Sequence, residues 1–509
     1  MKKLLLSLLT LLLSSLLLCA CAKDVNFSAV TVKDDIEELT VVLQDGETQL
    51  LDSLPALKSA DFSGSECYEE ICNWAKAHPD VSVTYTVSLP NGVVVNNDCT
   101  SLDLSSMDSK LFDETVKLMA YLPDLEAVKL SDKKAVSAED FALLFSAYPE
   151  LNYSVSFNIH GQKFSLDETS LDMTGISAED AEEFCIVLPA MSELKTVELG
   201  NQESSPELSF ALISAMQKAC PTAEFAYSFV LYDQTFSTET TEMNLSYIRM
   251  YDNGAAVMEA LSCMPKMEYL DMDSCHVGDE DMAKIRDAYP DVKVVWRVWF
   301  GDNYCVRTDA EKILASMPST GGELTPENTQ SLKYCTDIRY IDVGHNNYLT
   351  DISFVNYMPK LEVAIFAMDF ITDVSPLANC PNLEFLEIQT SKVSDITPLA
   401  GLKKLRHLNI CYLYELDDIS PIMDLDLDRL WIGDLSPVPQ EQIDEYQRLH
   451  PDCRISTKNR DPHDGGWRYD QNEKGVWGMH PRYEILVKQF GYDSAAYSFP
   501  WKDPLYRYY

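Results

Sequence analysis

Residues 383–410 read LEFLEIQTSKVSDITPLAGLKKLRHLNI, and the register of this stretch decides the architecture of the C-terminal half. Leu383 returns as Leu405, and Leu361 and Leu427 extend the same spacing of 22 residues in both directions. Asp351-Ile352, Asp373-Val374 and Asp395-Ile396 keep that period, and Asp418-Ile419 follows after 23. Self-similarity at such a period marks stacked repeats: one unit cannot bury its apolar stripe alone, whereas neighbours together make a continuous core. The alternation L-x-x-L-x-L describes a short strand with leucines inward. Pro376, Pro398 and Pro421 fall where an extended or 3₁₀-like return tolerates a missing amide donor.

This is a leucine-rich-repeat pattern, and the return VSDITPLAGL (393–402) resembles the internalin class of bacterial repeats over about 110 residues. The resemblance implies a curved parallel sheet and a recognition scaffold. In such repeats an Asn after each strand bonds between adjacent turns. The corresponding residues here are Asn346, Asp369, Ser391, Leu413 and Leu435, a ladder polar early and lost late, which puts regular stacking after residue 410 in question.

Upstream runs a longer repeat. SLDLSS (101–106), SLDMTG (170–175) and EMNLSY (242–247) recur beside EAVKLSD (126–132), KTVELGN (195–201) and EYLDMDS (268–274). AHPDV, AYPEL, ACPTA and AYPDV, with prolines at 79, 149, 221 and 290, close helix-like stretches, and alternating β-type passages such as VSVTYTVSL (81–89) and FAYSFVLYD (225–233) follow. Ser137 and Ser177 begin capping-box sequences, and Thr325-Pro326 places a proline at a first helical turn. The expected fold class is therefore α/β: a leucine-rich-repeat solenoid with helical and 3₁₀ convex sides and an aromatic-rich C-terminal cap. Long repeats would occupy residues 36–335 and 22-residue repeats 336–454; a row of separate small α/β domains is the alternative for the first part.

The ends differ in kind. Lys2 and Lys3 precede an apolar run from Leu4 to Leu18, the layout of a secretory leader over residues 1–20. Leu18-Cys19-Ala20-Cys21 resembles the lipobox of bacterial lipoproteins, which implies cleavage before Cys21, lipidation there and a linker over 21–35. The expected location is the extracytoplasmic face of a cell membrane, with membrane contact through the lipid only. Residues 455–509 carry 12 aromatics and eight basic against seven acidic residues, so this segment is either a cap over the solenoid end or a docking module. Asp plus Glu number 81 against 40 Lys plus Arg, and the resulting charge of −41 argues against nucleic acid as a partner. Twelve cysteines follow Cys21; most sit among apolar residues and read as buried thiols, with disulfides as the alternative outside the cell.

No H-E-x-x-H, G-x-S-x-G, phosphate-binding glycine loop or G-x-G-x-x-G occurs. An acid-rich stretch around Asp271, Asp273, Asp279, Glu280 and Asp281 departs from the EF-hand pattern, and so does a loose Asp461/Asp464/Asp470 set. No metal, cofactor or catalytic residue is assigned, and an envelope hydrolase ranks below the binding readings. What remains is a concave lattice. Its first column is Tyr340, Val363, Phe385, His407 and Arg429, its second Asp342, Ile365, Glu387, Asn409 and Trp431. Apolar groups on a nominally open face mark an interaction surface for a protein or glycan, with Phe385 and Trp431 as anchors. The alternatives are that the C-terminal tail or a second copy of the chain covers this face, or that the register is wrong. A structural scaffold docking envelope proteins through the aromatic tail is the second function considered.

Overall fold

The computed structural model describes residues 22–130, 137–316, 323–457, 467–471 and 474–490. The leader, Cys21, Asp461, Asp464 and the aromatics beyond Phe490 lie outside these. The chain divides into two compact units, Met1–Val230 and Leu231–Tyr509. Among the described residues no helix is long and apolar enough to cross a membrane.

In the first unit the long repeat forms parallel strands in threes. Glu38–Thr40, Ser59–Asp61 and Ser82–Thr84 make one set, and Ser101–Asp103, Ala127–Lys129 and Asn152–Ser154 the next. Each of these sets is followed by an antiparallel hairpin, Thr86–Ser88 with Val94–Asn96 and Ser156–Ile159 with Gln162–Ser165. The recurring segments are thus strands, as the sequence predicts. The helices between them start where their caps stand: Ser137 accepts the Asp140 amide at 3.1 Å and Ser177 the Asp180 amide at 3.1 Å, each satisfying a donor that the first turn leaves open. These helices turn one side inward, burying Phe141 and Leu144 in one and Ala181 and Phe184 in the other.

The second unit repeats the plan once, with Glu242–Asn244, Tyr269–Asp271 and Lys293–Val295 followed by the hairpin Arg297–Phe300 and Tyr304–Arg307. Seven parallel strands then stack in sequence order: Lys312–Leu314, Tyr340–Asp342, Val363–Ile365, Phe385–Glu387, His407–Asn409, Arg429–Trp431 and Arg454–Ser456. The middle residues of the five central strands, Ile341, Ala364, Leu386, Leu408 and Leu430, are fully buried. The convex side is a row of 3₁₀ segments. Asp351, Asp373, Asp395 and Asp418 each accept the amide two residues on at 2.7–2.8 Å. That Asx geometry launches the return, and Pro376, Pro398 and Pro421 occupy its first turn, where an amide would have no partner. After the strands, His345, Met368, Thr390 and Tyr412 adopt φ of 66°, 64°, 63° and 60°. A left-handed non-glycine residue is costly, on the order of 1 kcal/mol. It is held at the first three positions by inter-turn bonds from His345 N to Ala367 O, Met368 N to Gln389 O and Thr390 N to Cys411 O, at 2.7, 2.8 and 3.1 Å.

Two expectations need correction. Stacking continues past residue 410 although the polar ladder stops: Leu413 is buried in the core, and Ile410 N and Ile432 N bond to Trp431 O and Ser456 O at 2.9 and 3.0 Å. Backbone bonds and core leucines carry the register without the Asn-type contact. Thr325-Pro326 opens a turn and the 3₁₀ segment Gln330–Tyr334 rather than an α-helix; Asn328 and Thr325 bond each other's amides at 2.7 and 3.3 Å and close the turn early. The return between the last two strands is the helix Gln440–Leu449 in place of a 3₁₀ segment. Tyr446 is fully buried there and its hydroxyl donates to Leu425 O at 2.6 Å.

Candidate functional site

In a three-residue strand whose middle side chain enters the core, the outer two face the other side of the sheet. The predicted lattice therefore stands in the expected register, and misregister is ruled out. Its openness is what needs correction. The C-terminal segment returns over this face as a hairpin, Tyr469–Gln471 with Trp477–Met479, followed by the helix Pro481–Phe490. Val363, Ile365, Phe385 and Trp431 form one buried apolar group with Trp467, Tyr483, Leu486 and Phe490 from the tail. The cause is that of any apolar surface in water: an uncovered face would leave these side chains hydrated, whereas burial gains roughly 25 cal/mol per Å².

Trp467 is the centre of this contact, 3% exposed. Its ring lies 5.4 Å from Phe385, stacks on Trp431 at 6.2 Å, meets His407 edge-on at 6.3 Å and has the Arg429 guanidinium 5.9 Å from its centroid. Its Nε1 donates to Glu387 Oε1 at 2.6 Å. Glu387 is fully buried and also accepts from Gln389 Nε2 at 3.2 Å, with Arg468 at 3.7 Å. A buried carboxylate lacking such partners costs several kcal/mol, so the tail supplies an indole donor and a cation that the sheet alone does not place there.

The remaining lattice residues occupy the rim or pair locally. Tyr340 is half-buried, bonds Glu362 Oε2 at 3.2 Å and touches Phe490 edge-on at 6.4 Å. Asp342 is buried and accepts the Gly344 amide at 3.1 Å. Asn409 is fully buried and accepts the Cys411 amide at 3.1 Å. His407 lies 5.7 Å from His480 of the tail. Burial, together with His480, Arg482 and Arg429, pushes the His407 imidazole down to about 3. Burial with Arg429 and Arg454 pushes His480 down to about 4. Both rings are thus neutral at pH 7, and burial also lowers Arg429 to about 10. At the rim Arg482 reaches Glu384 at 3.5 Å and Lys312 Nζ donates to Gln489 O at 2.9 Å.

The acid-rich stretch near Asp271 is occupied by arginine. Arg297 makes a two-point contact with Asp273, Nε to Oδ1 at 2.9 Å and Nη2 to Oδ2 at 2.8 Å, and both side chains are almost wholly buried. Arg307 bridges Asp271 at 3.0 Å, Asp273 at 3.3 Å and Asp309 at 3.0 Å. Burial pushes the Asp273 carboxyl up, but the Arg297 bonds outweigh it and hold the group below its ordinary value. Among the described residues no group of three or more His, Cys, Asp or Glu side chains could hold a metal ion. Arg297 and Arg307 come from the hairpin that follows the third strand, a pairing invisible in linear spacing. The twelve cysteines from Cys67 to Cys453 are thiols, nine of them buried.

No protein-family model matches the sequence, and no curated protein matches it. Among solved structures the chain is similar to an internalin (inlF) from Listeria monocytogenes, at 18% identity over 72% of this chain and 84% of that one, with a TM-score of 0.27. It is similar to a leucine-rich-repeat protein of Leptospira interrogans at 14% identity over 82% and 95%, with a TM-score of 0.26. The functional domain of InlJ from Listeria monocytogenes, which includes a cysteine ladder, is similar at 10% identity over 86% and 68%, with a TM-score of 0.21. The seven parallel strands of residues 312–456, each return carried by a 3₁₀ or helical segment, make this part of the chain a leucine-rich-repeat solenoid.

Proposed function

We propose that the protein is an exported, lipid-anchored leucine-rich-repeat protein of the cell envelope that recognises a protein or glycan noncovalently through the concave face of residues 340–431. The observation that carries this reading is the buried Glu387 with the Trp467 indole nitrogen 2.6 Å away: the face already holds a peptide segment by an aromatic anchor and a charge-assisted bond. Mechanistically, a stacked sheet presents its side chains at fixed strand spacing, so binding spends little entropy on ordering the receptor. Phe385 and Trp431 flank the anchor, and Glu387, His407 and Arg429 set polarity around it. Cys21 would carry the lipid. The burial of Trp467, Tyr483 and Phe490 against the sheet weighs against the tail as an outward docking module of an envelope scaffold.

The test uses the chain lacking residues 1–21 against cell-wall fragments, glycans and envelope proteins, with Phe385→Ala/Trp431→Ala beside it. Saturable binding that the double variant loses while keeping its far-UV circular dichroism is the expected result. Binding unchanged in that variant moves the site off this face. For the anchor, fatty-acid label incorporated by the full chain and abolished by Cys21→Ala is expected; label retained in the variant overturns it.

A further inference from the structure

The tail fits the concave face imperfectly. His407 Nδ1, Asn409 Nδ2 and Gln389 Oε1 are buried beneath or beside it and have no hydrogen-bond partner among the described residues. Their residues are 7%, 0% and 7% exposed. On the tail side Gln489 Oε1 is in the same condition. Buried polar atoms in this state subtract from whatever the contact gains. The hairpin Tyr469–Gln471 with Trp477–Met479 is a two-stranded sheet of its own, separate from the seven-stranded ladder. The contacts that do fit are chemically specific. Trp467 fills the space between Phe385 and Trp431, its Nε1–H reaches Glu387, and Arg468 follows at 3.7 Å from the same carboxylate.

We infer that the tail is a displaceable occupant of the concave face, standing in for a peptide segment of a partner protein that carries an aromatic side chain followed by an arginine. This rests on the concave-face reading above and narrows it from protein or glycan to protein. Glu387 is the reason: a buried carboxylate is matched by an indole N–H and a guanidinium, whereas a neutral glycan supplies hydroxyls but no cation. The strong acid excess of the chain, a net charge of −41, further favours a cationic segment. A partner that also reaches His407, Asn409 and Gln389 would outcompete the tail at these atoms.

The probe is a fluorescein-labelled synthetic peptide spanning Trp467–Phe490. It is titrated into the chain lacking residues 1–21, unmodified, with Trp467→Ala/Arg468→Ala, and with Glu387→Gln added to that pair. Fluorescence anisotropy should show at least about 10-fold tighter binding to the pair variant than to the unmodified chain, because the attached tail competes at high effective concentration. Glu387→Gln should weaken that binding roughly 10-fold. A pair variant that keeps its circular dichroism and melting temperature but binds no better than the unmodified chain overturns the inference. Should the pair variant unfold, hydrogen exchange on the unmodified chain decides. Amides of Pro481–Phe490 exchanging at least about 100-fold faster than those of His407–Asn409 support a displaceable tail, and equal rates overturn it. Concentration-dependent dimers reassign the occupant to a second copy and overturn the partner assignment. Glycan capture by the pair variant that the peptide does not compete overturns the peptide class. If the peptide binds the opened face while no envelope protein does, the tail is displaceable but the partner assignment is overturned together with the wider recognition function.

Discussion

Trp467→Phe probes the closed face at its most informative atom. Phenylalanine keeps an aromatic ring against Phe385 and Trp431 but is smaller than the indole and lacks the Nε1–H that meets Glu387 at 2.6 Å, and the packing loss cancels when the change is compared in two backgrounds at residue 387. The carboxylate stays fully buried, so its desolvation remains while one of its donors is gone. A hydrogen bond to a charged group contributes about 1.5–3 kcal/mol, against about 1 kcal/mol for a neutral pair. The substitution should therefore raise the population with the tail undocked by roughly 10- to 150-fold, at 1.36 kcal/mol per decade. In a Glu387→Gln background the same change meets a neutral acceptor and should cost only about 1 kcal/mol, giving a coupling of roughly 0.5–2 kcal/mol. Hydrogen exchange of the Pro481–Phe490 amides, referenced to Phe385–Glu387, reads the opening directly. An equal cost of Trp467→Phe in both backgrounds would refute the reasoning, because the indole would then act through packing alone.

Other consequences concern pH, charge and thiols. His407 at about 3 and His480 at about 4 are depressed from 6.5, so the closed face binds fewer protons than an open one in which both rings are hydrated. Tail docking should be constant above about pH 6.5 and weaken as pH falls toward 4, His407 contributing up to about 1.4 kcal/mol per pH unit; exchange at Pro481–Phe490, corrected for intrinsic rates, should rise across that window. Arg429, Arg454 and Arg482 surround the two rings and oppose their protonation, so a flat profile would contradict the burial described. Asp273→Ala removes the partner of the buried Arg297 and should destabilise the second unit by about 3–5 kcal/mol in urea unfolding. Thiol titration of the denatured chain lacking residues 1–21 should give twelve thiols, and reductant should leave its melting temperature unaltered; a shift on reduction would reveal a disulfide.

The parts of this fold legible in sequence are those that neighbouring residues determine. The period from Leu361 to Leu427 places the strands, the Asp of each return sets an Asx turn, and Pro376, Pro398 and Pro421 suit only the first turn of a 3₁₀ segment. Ser137 and Ser177 act within three residues of themselves and were readable for the same reason. The lattice on the concave face follows from strand alternation, and its apolar character shows that something covers it. What covers it depends on a bond between residues 80 apart, Trp467 to Glu387, and no periodicity reports such a pair. The available signal is the spacing of Tyr483, Leu486 and Phe490, which puts one apolar stripe on a helix inside an aromatic-rich segment. Arg297 and Arg307 stayed hidden for the same reason, since a helix and a strand separate them from their partners Asp271 and Asp273.

The concave lattice is closed by the chain's own tail. Oxidative footprinting of tryptophans with mass-spectrometric readout reads that closure, because the chain carries its own references. Trp296 is 2% exposed and Trp299 is 49% exposed, and neither belongs to this face. Trp431 at 1% and Trp467 at 3% should be as protected as Trp296 in the unmodified chain lacking residues 1–21. Labelling of Trp431 and Trp467 at the rate of Trp299, with Trp296 still protected, would contradict the closed face in a molecule that is otherwise folded.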